Sequence, residues 1–260
     1  MTKTFKERFD FKYPYEHLNR IPNKLSVSKM FPELLDQPEE GYSPEQLEIE
    51  EKDDRKRTEI VPQFISESTD ISPREQGIAV HMFMQFFDLD NVYKNGVEEE
   101  IKRLHDMKYI YDETYDIISK PWNKKKIENF FKSSLAMDMK EAKTIIREKK
   151  FTLNFPASSF TKDEEKAETI KDVPLLVQGV IDCLYINNKD ELILVDYKTD
   201  HFSKTVDRET IEKTLKERYN NQLMYYAYAS EKIMKKEVAH VRLYSFAIDD
   251  IIELERKDIL

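Results

Sequence analysis

The sequence predicts an α/β (α+β) chain: a helical N-terminal half, then a mixed sheet core flanked by helices. Two observations predict it. Residues 71–147 repeat apolar positions at helical spacing, whereas residues 148–260 carry short apolar, β-branched runs separated by turn signals and one long helical pattern. The resulting order of strand, strand, strand, helix, strand implies a mixed sheet with a helix packed on it.

Residues 1–70 read as an extended N-terminal segment and an acidic linker. Pro14 and Pro22 break any long element there, and the short apolar segment KLSVSKMF occupies 24–31. Residues 36–70 carry Pro38, Gly41, Pro44 and the run EIEEKDD, which suits a surface excursion with a helix at 44–53 at most. The domain proper is expected over 71–260, with a helical part over 71–147 and a sheet core over 148–260.

The first helix starts at Ser72, where S-x-x-E to Glu75 makes a capping box and Pro73 suits the first turn. Ile78, Met82, Phe83, Phe86 and Phe87 then form one broad apolar face. Further helical patterns fall at 96–108, 123–135 and 138–147. FTLNF (151–155) reads as a strand, 161–172 as a charged loop, and VPLLVQGVIDCLYI (173–186) as a long strand. NNKDE (187–191) signals a hairpin turn into LILVDYKT (192–199). A helix over 208–234, a strand over 238–248 and a short hairpin partner at 251–256 complete the order.

Composition narrows the function. The 260 residues are 40% apolar, with 14 Tyr and 15 Phe, enough for a real core. Cys183 is the only cysteine, which excludes an internal disulfide and a Cys-ligated zinc or iron–sulfur site, and makes a reducing, cytoplasmic setting the expectation. Only 4 Gly occur and no G-x-x-x-x-G-K-[ST] is present, so no ordinary ATP site is expected. No apolar run spans a bilayer, and the first residues lack an apolar signal region. The net charge of −9 argues against simple nucleic-acid binding, yet KPWNKKK (120–126) and REKK (147–150) are basic; each reads first as solvated surface.

Two acids stand where acids are costly. Asp182 lies inside an apolar strand and Asp196 follows LILV. Unless paired, hydrogen-bonded or metal-bound, such carboxylates are expensive to bury. The short turn makes the two strands a hairpin, bringing Asp182 near Asp196, although a one-residue slip would turn one of them away. Asp196 and Lys198 alternate onto one face. Two carboxylates and an ammonium suit phosphodiester hydrolysis: the acids hold Mg²⁺, the backbone carbonyl of Tyr197 could add an oxygen, and Lys198 orients water. By itself, a D-x-K triplet reads first as a strand-end ion pair.

The pattern GVID (179–182) followed by VDYKT (195–199) resembles the D…(D/E)-x-K signature of restriction-endonuclease-like nucleases, and more closely the RecB/AddA nuclease family. Three segments carry the resemblance further. AVHMFMQ (79–85) is similar to that family's helix bearing a metal-binding histidine, here His81; YNNQLMYYAYA (219–229) to its Q-x-x-x-Y helix, here Gln222 and Tyr226; and KLSVSKM (24–30) to a segment before the nuclease core. From spacing alone, a helical histidine reads as structural, and Gln222 and Tyr226, four apart, equally suit packing or the site. The resemblance assigns His81 to the metal, where Mn²⁺ would accept nitrogen more readily than Mg²⁺. Departures are Lys150, where the family has proline after an acid that would be Glu148, and Ile78, where it has Thr.

The resemblance implies the C-terminal nuclease domain of an A-type helicase–nuclease subunit without its motor. It would be an Mg²⁺-dependent deoxyribonuclease acting on single-stranded DNA during end resection for recombinational repair. Its partners would be DNA, the helicase part of the A-type subunit, and a B-type subunit. The rival readings are a catalytically idle DNA-binding or scaffold module and a stand-alone endonuclease. Trp122, among lysines, either stacks on single-stranded DNA or anchors a helix start. His17, His105, His201 and His240 are left unassigned.

Overall fold

The computed structural model describes residues 21, 22, 24–27, 71–203 and 205–256. The expected helix at 44–53, the last three residues of KLSVSKM (28–30) and His17 lie outside the described residues. The described elements are β1 (Lys24–Ser26), α1 (Pro73–Phe86), α2 (Leu89–Asn95), α3 (Val97–Asp106), α4 (Asp112–Ile118), α5 (Pro121–Lys132), α6 (Ser134–Lys140), β2 (Thr144–Pro156), α7 (Glu164–Ile170), β3 (Pro174–Ile186), β4 (Leu192–Lys198), α8 (Arg208–Met234), β5 (Val238–Ser245) and β6 (Asp250–Leu254). They make a mixed α/β fold with eight described helices and six strands. No described helix is long and apolar enough to cross a membrane.

The chain divides into two compact units. The smaller comprises Met1–Gly41, Thr152–Gly179 and Leu260. In it β1 runs parallel to the first half of β3, with Leu25 opposite Val177. Phe155 meets Phe160 edge-on at 6.3 Å, and the amide of Ala157 donates to the carbonyl of Val173. Within 161–172, expected to be a loop, stands α7, capped by the Asp163 side chain, which accepts from the amide of Lys166 at 3.1 Å. Its seven residues bury Ile170 and show no apolar stripe for periodicity to detect.

The larger unit comprises Tyr42–Phe151 and Val180–Ile259. Its first helix starts as its sequence dictates: Ser72 accepts from the amide of Glu75 at 3.2 Å, and Glu75 accepts from the amide of Ser72 at 2.8 Å. Phe83, Phe87, Phe130 and Phe131 form an aromatic cluster of stacked and edge-on rings. Each such side chain contributes about 1.5–3 kcal/mol on burial. Between the expected helices lie two short ones, α2 and α4. The former is fixed by buried Glu100, which accepts from the amide of Asp88, from Asn91 and from two nitrogens of Arg103.

The pattern expected as one helix over 138–147 is instead α6 and the start of β2. Thr144, Ile145 and Ile146 enter an extended strand, and the Lys143 amide donates to the Ile186 carbonyl at 2.8 Å. β-branched residues fit such a paired surface better than a helix end.

The second half of β3 pairs antiparallel with β4, β4 pairs parallel with β5, and β5 pairs antiparallel with β6. The 27-residue α8 makes the crossover that a parallel pair requires, and a left-handed Lys235 ends it. Six of the seven β4 residues are buried, as expected of a central strand covered on both faces. Ile193, Val195 and Tyr197 belong to the core shared with the helices, so Leu194, Asp196 and Lys198 point the opposite way.

Candidate active site

The hairpin fixes the first geometry. Cys183 faces Val195, and the next pair in that register sets Asp182 opposite Asp196. Asp182 Oδ2 accepts from the Tyr197 amide at 2.9 Å. At the end of β4, the Phe246 amide donates to the Lys198 carbonyl at 2.9 Å, which anchors the strand where Lys198 emerges. Lys198 Nζ lies 2.6 Å from Asp196 Oδ2. The strand-end ion pair that a D-x-K triplet suggests is therefore present.

Its surroundings are what a plain ion pair does not require. Asp196 is 2% exposed, and its Oδ2 is met by the Lys198 ammonium rather than by a neutral donor. Burial foremost, with the Asp182 carboxylate, raises the Asp196 carboxyl to about 6 against the opposing Lys198 ammonium and His81. For Lys198, burial works downward, but the carboxylates of Asp196 and Asp182 outweigh it and hold the ammonium above the ordinary lysine value. The centre thus sets two acids against one ammonium.

Helix α1 brings His81 alongside, with Nδ1 at 3.6 Å from Asp182 Oδ2. Its approach depends on Gly77: a Cβ there would lie 2.7 Å from Thr199 Oγ1. Helix α8 contributes Gln222, whose Nε2 donates to Tyr226 Oη at 3.0 Å. Tyr226 is buried, which raises its phenol, and the charges of Asp196 and Asp182 raise it further. Tyr197 offers the site only its backbone, because its ring is buried in the helical core with its hydroxyl toward Met139 Sδ.

A second group emerges that sequence reading missed. Lys198 Nζ stands 4.4 Å from the centre of the Tyr219 ring. The Tyr219 hydroxyl donates to the Asp200 carboxylate, with its oxygens at 2.9 and 3.0 Å, and Arg218 pairs with the same acid. The signal was present: Tyr219, Gln222 and Tyr226 are spaced three and four apart, one stripe of α8.

Glu148 is half-buried in β2 with φ 51°, a left-handed residue within a strand, as at bulges that re-aim side chains. Two histidines left unassigned have partners: His105 lies 2.7 Å from Asp112, and His240 lies 2.6 Å from Glu253. Trp122 does not anchor a helix start in the core; it is 38% exposed.

Asp182, Asp196 and His81 are the groups here that could hold a divalent cation. Among the described residues no set of three or more His, Cys, Asp and Glu forms a ready-made metal cage. In this arrangement Lys198 lies against Asp196, and the Tyr197 amide takes an Asp182 oxygen. The donor set nevertheless fits a hard cation: two carboxylates, one of them buried, stand together with an imidazole beside them.

The model of the PD-(D/E)XK nuclease superfamily matches residues 54–256. The chain is 36% identical over 255 residues to the A-type subunit of the ATP-dependent helicase/nuclease of Clostridium botulinum strain 657, covering 96% of this chain and 18% of that protein. It is 34% identical over 249 residues to the corresponding helicase/nuclease subunit of Clostridium kluyveri, covering 95% of this chain and again 18% of the relative. The chain thus spans about a fifth of the length of these relatives. The solved structure of SSO0001 aligns over 82% of this chain and 80% of its own, with 13% identity and a TM-score of 0.30, too distant to carry an argument.

Proposed function

The chain belongs to the PD-(D/E)XK nuclease superfamily, and from that premise we propose that it is a metal-dependent deoxyribonuclease cutting single-stranded DNA. The observation that carries the proposal is the buried Asp196 carboxylate, facing Asp182 and touching Lys198, so that two acids stand against one ammonium. A second carboxylate beside a buried ion pair costs stability unless a further cation or a reacting group offsets it.

Asp182, Asp196 and His81 would hold the ion, with the Tyr197 backbone carbonyl as a further oxygen. Bound there, Mg²⁺ or Mn²⁺ would lower the pKa of bound water and neutralise charge on the phosphate. The protein's own groups do the rest. Lys198, kept protonated by its carboxylate neighbours, places a fixed positive charge where the phosphoryl oxygens gain negative charge. The Tyr219 ring under its ammonium limits where that charge can go. Gln222 and Tyr226 offer an amide and a phenol from one helix face to orient the DNA backbone.

By similarity to the helicase/nuclease relatives, the working setting would be resection of DNA ends for recombinational repair. There the helicase part of the A-type subunit would be one partner and a B-type subunit another, in the cytoplasm. This chain's share is the cutting centre.

The test incubates linear single-stranded and duplex DNA with the chain and Mg²⁺ or Mn²⁺, alongside Asp196→Ala and Lys198→Ala. Metal-dependent cutting lost in both variants is expected. Equal cutting by the variants sinks the assignment. DNA binding without cutting by any version would make the chain an idle binding module instead.

A further inference from the structure

The tryptophan of KPWNKKK is left outside the core although the helix it opens is firmly held. Pro121 occupies the first turn of α5, and buried Asn123 ties that turn down, its Nδ2 donating to the Ile117 carbonyl at 2.8 Å. The helix packs through Ile127, Phe130 and Phe131, all buried. None of this uses the indole, which is 38% exposed.

The neighbours of the ring define its chemistry. His201 meets it edge-on, with centroids 6.2 Å apart and planes at 73°. Lys126 Nζ lies 5.3 Å from the ring centre. Lys120 and Lys125 are exposed nearby in the chain, whereas Lys124 is turned to Glu98 at 2.9 Å. His201 is also exposed, and it follows Lys198 by three residues on the segment leaving β4. An exposed indole with one ammonium over its ring is thereby joined to the strand that presents the acids.

We propose that Trp122, with His201 edge-on beside it, is a stacking surface for an unpaired base of single-stranded DNA, with the exposed Lys120 and Lys125 against its phosphates. This deepens the deoxyribonuclease reading and rests on it for the identity of the ligand. Every base has a flat face, so such a platform tolerates any sequence, and the lysines supply backbone attraction without reading it. In a chain of net charge −9, a lysine group around an exposed ring offers a polyanion a local point of contact. A duplex offers it less, because its base faces are stacked on one another.

Trp122 is the single tryptophan of the chain, so its emission reports on this place alone. The experiment titrates the full chain with oligodeoxythymidylate in EDTA, following Trp122 fluorescence and, separately, the anisotropy of a dye-labelled oligomer. Saturable quenching is expected, with much less from a blunt duplex of equal length. Trp122→Ala should weaken binding roughly 5- to 150-fold, the worth of one stacked base, with Trp122→Phe between the two. Unchanged emission while anisotropy reports binding, equal quenching by duplex, or no binding of the oligomer would each overturn the proposal. So would Trp122→Ala binding as tightly as the parent. The parent's quenching needs no variant to fold. No cutting enters these readouts. Quenching without metal-dependent cleavage sinks the nuclease reading and leaves the platform; cleavage without quenching does the reverse.

Discussion

Gly77→Ala tests whether the approach of α1 to the end of β4 sets the site. The added Cβ would lie 2.7 Å from Thr199 Oγ1 and 3.8 Å from Thr199 Cβ, so the conflict is confined to one hydroxyl. Ordinary contact begins at about 3.4 Å, so the two must part by roughly 0.7 Å. Threonine is stiff at χ1 and Thr199 directly follows Lys198, so the movement passes to the strand end or to α1, which carries His81. Overpacking of this kind costs about 1–3 kcal/mol. Alanine returns up to about 1 kcal/mol through helix propensity. The net expectation is a loss of up to about 2 kcal/mol in urea unfolding. Displacements approaching an ångström in an active centre can lower turnover about 100-fold, so metal-dependent cutting should fall at least tenfold. Thr199→Ala removes the clashing atom, and the double variant should recover stability and activity beyond the sum of the single effects. A Gly77→Ala protein that is more stable by about 1 kcal/mol and fully active would refute the reasoning, because Thr199 would then be turning aside at no cost.

Tyr219→Leu should lower kcat with little change in KM, because it removes the face under the Lys198 ammonium, whereas Tyr219→Phe keeps the ring and should retain most of the rate; equal losses in both would place the effect in the hydroxyl–Asp200 contact instead. Arg103→Ala should destabilise the chain by about 3 kcal/mol in urea unfolding while the cutting rate of the folded fraction is unchanged, because it leaves the buried Glu100 carboxylate without its cation. Mn²⁺ or Mg²⁺ should raise Tm in a thermal melt, and Asp182→Asn should abolish the rise; an equal rise in that variant would place the ion elsewhere.

What the sequence disclosed, and what it hid, follows from where each signal is encoded. The run LILVDYK and the turn after β3 are local, so the hairpin could be read directly, whereas the register that sets Asp182 opposite Asp196 could be read only to within one residue. The bounds of α8 were legible for the same reason: Asp207 caps it and a long helical pattern follows. Residues 144–150 escape a local reading because TIIREKK suits a helix end until β3 offers it a partner. Short α2 owes its place to the contacts of Glu100 with Asp88 and Asn91, which leave no periodic pattern in the sequence. In the site, Tyr219 shares a stripe with Gln222 and Tyr226, but its bond to Asp200 joins α8 to the end of β4, and only the fold reveals that. An indole is large and apolar, which favours the interior for Trp122; Pro121 and Asn123 secure the helix start without it.

The parallel pairing of β4 with β5 has a consequence for how the protein comes together. Its two strands are separated by all of α8, and His81 reaches Asp182 across about a hundred residues of chain. Contacts that distant close late, because the entropy of the intervening loop must be overcome first. The helices can therefore condense around their phenylalanines while the hairpin that carries the acids still lacks His81 and its parallel neighbour β5.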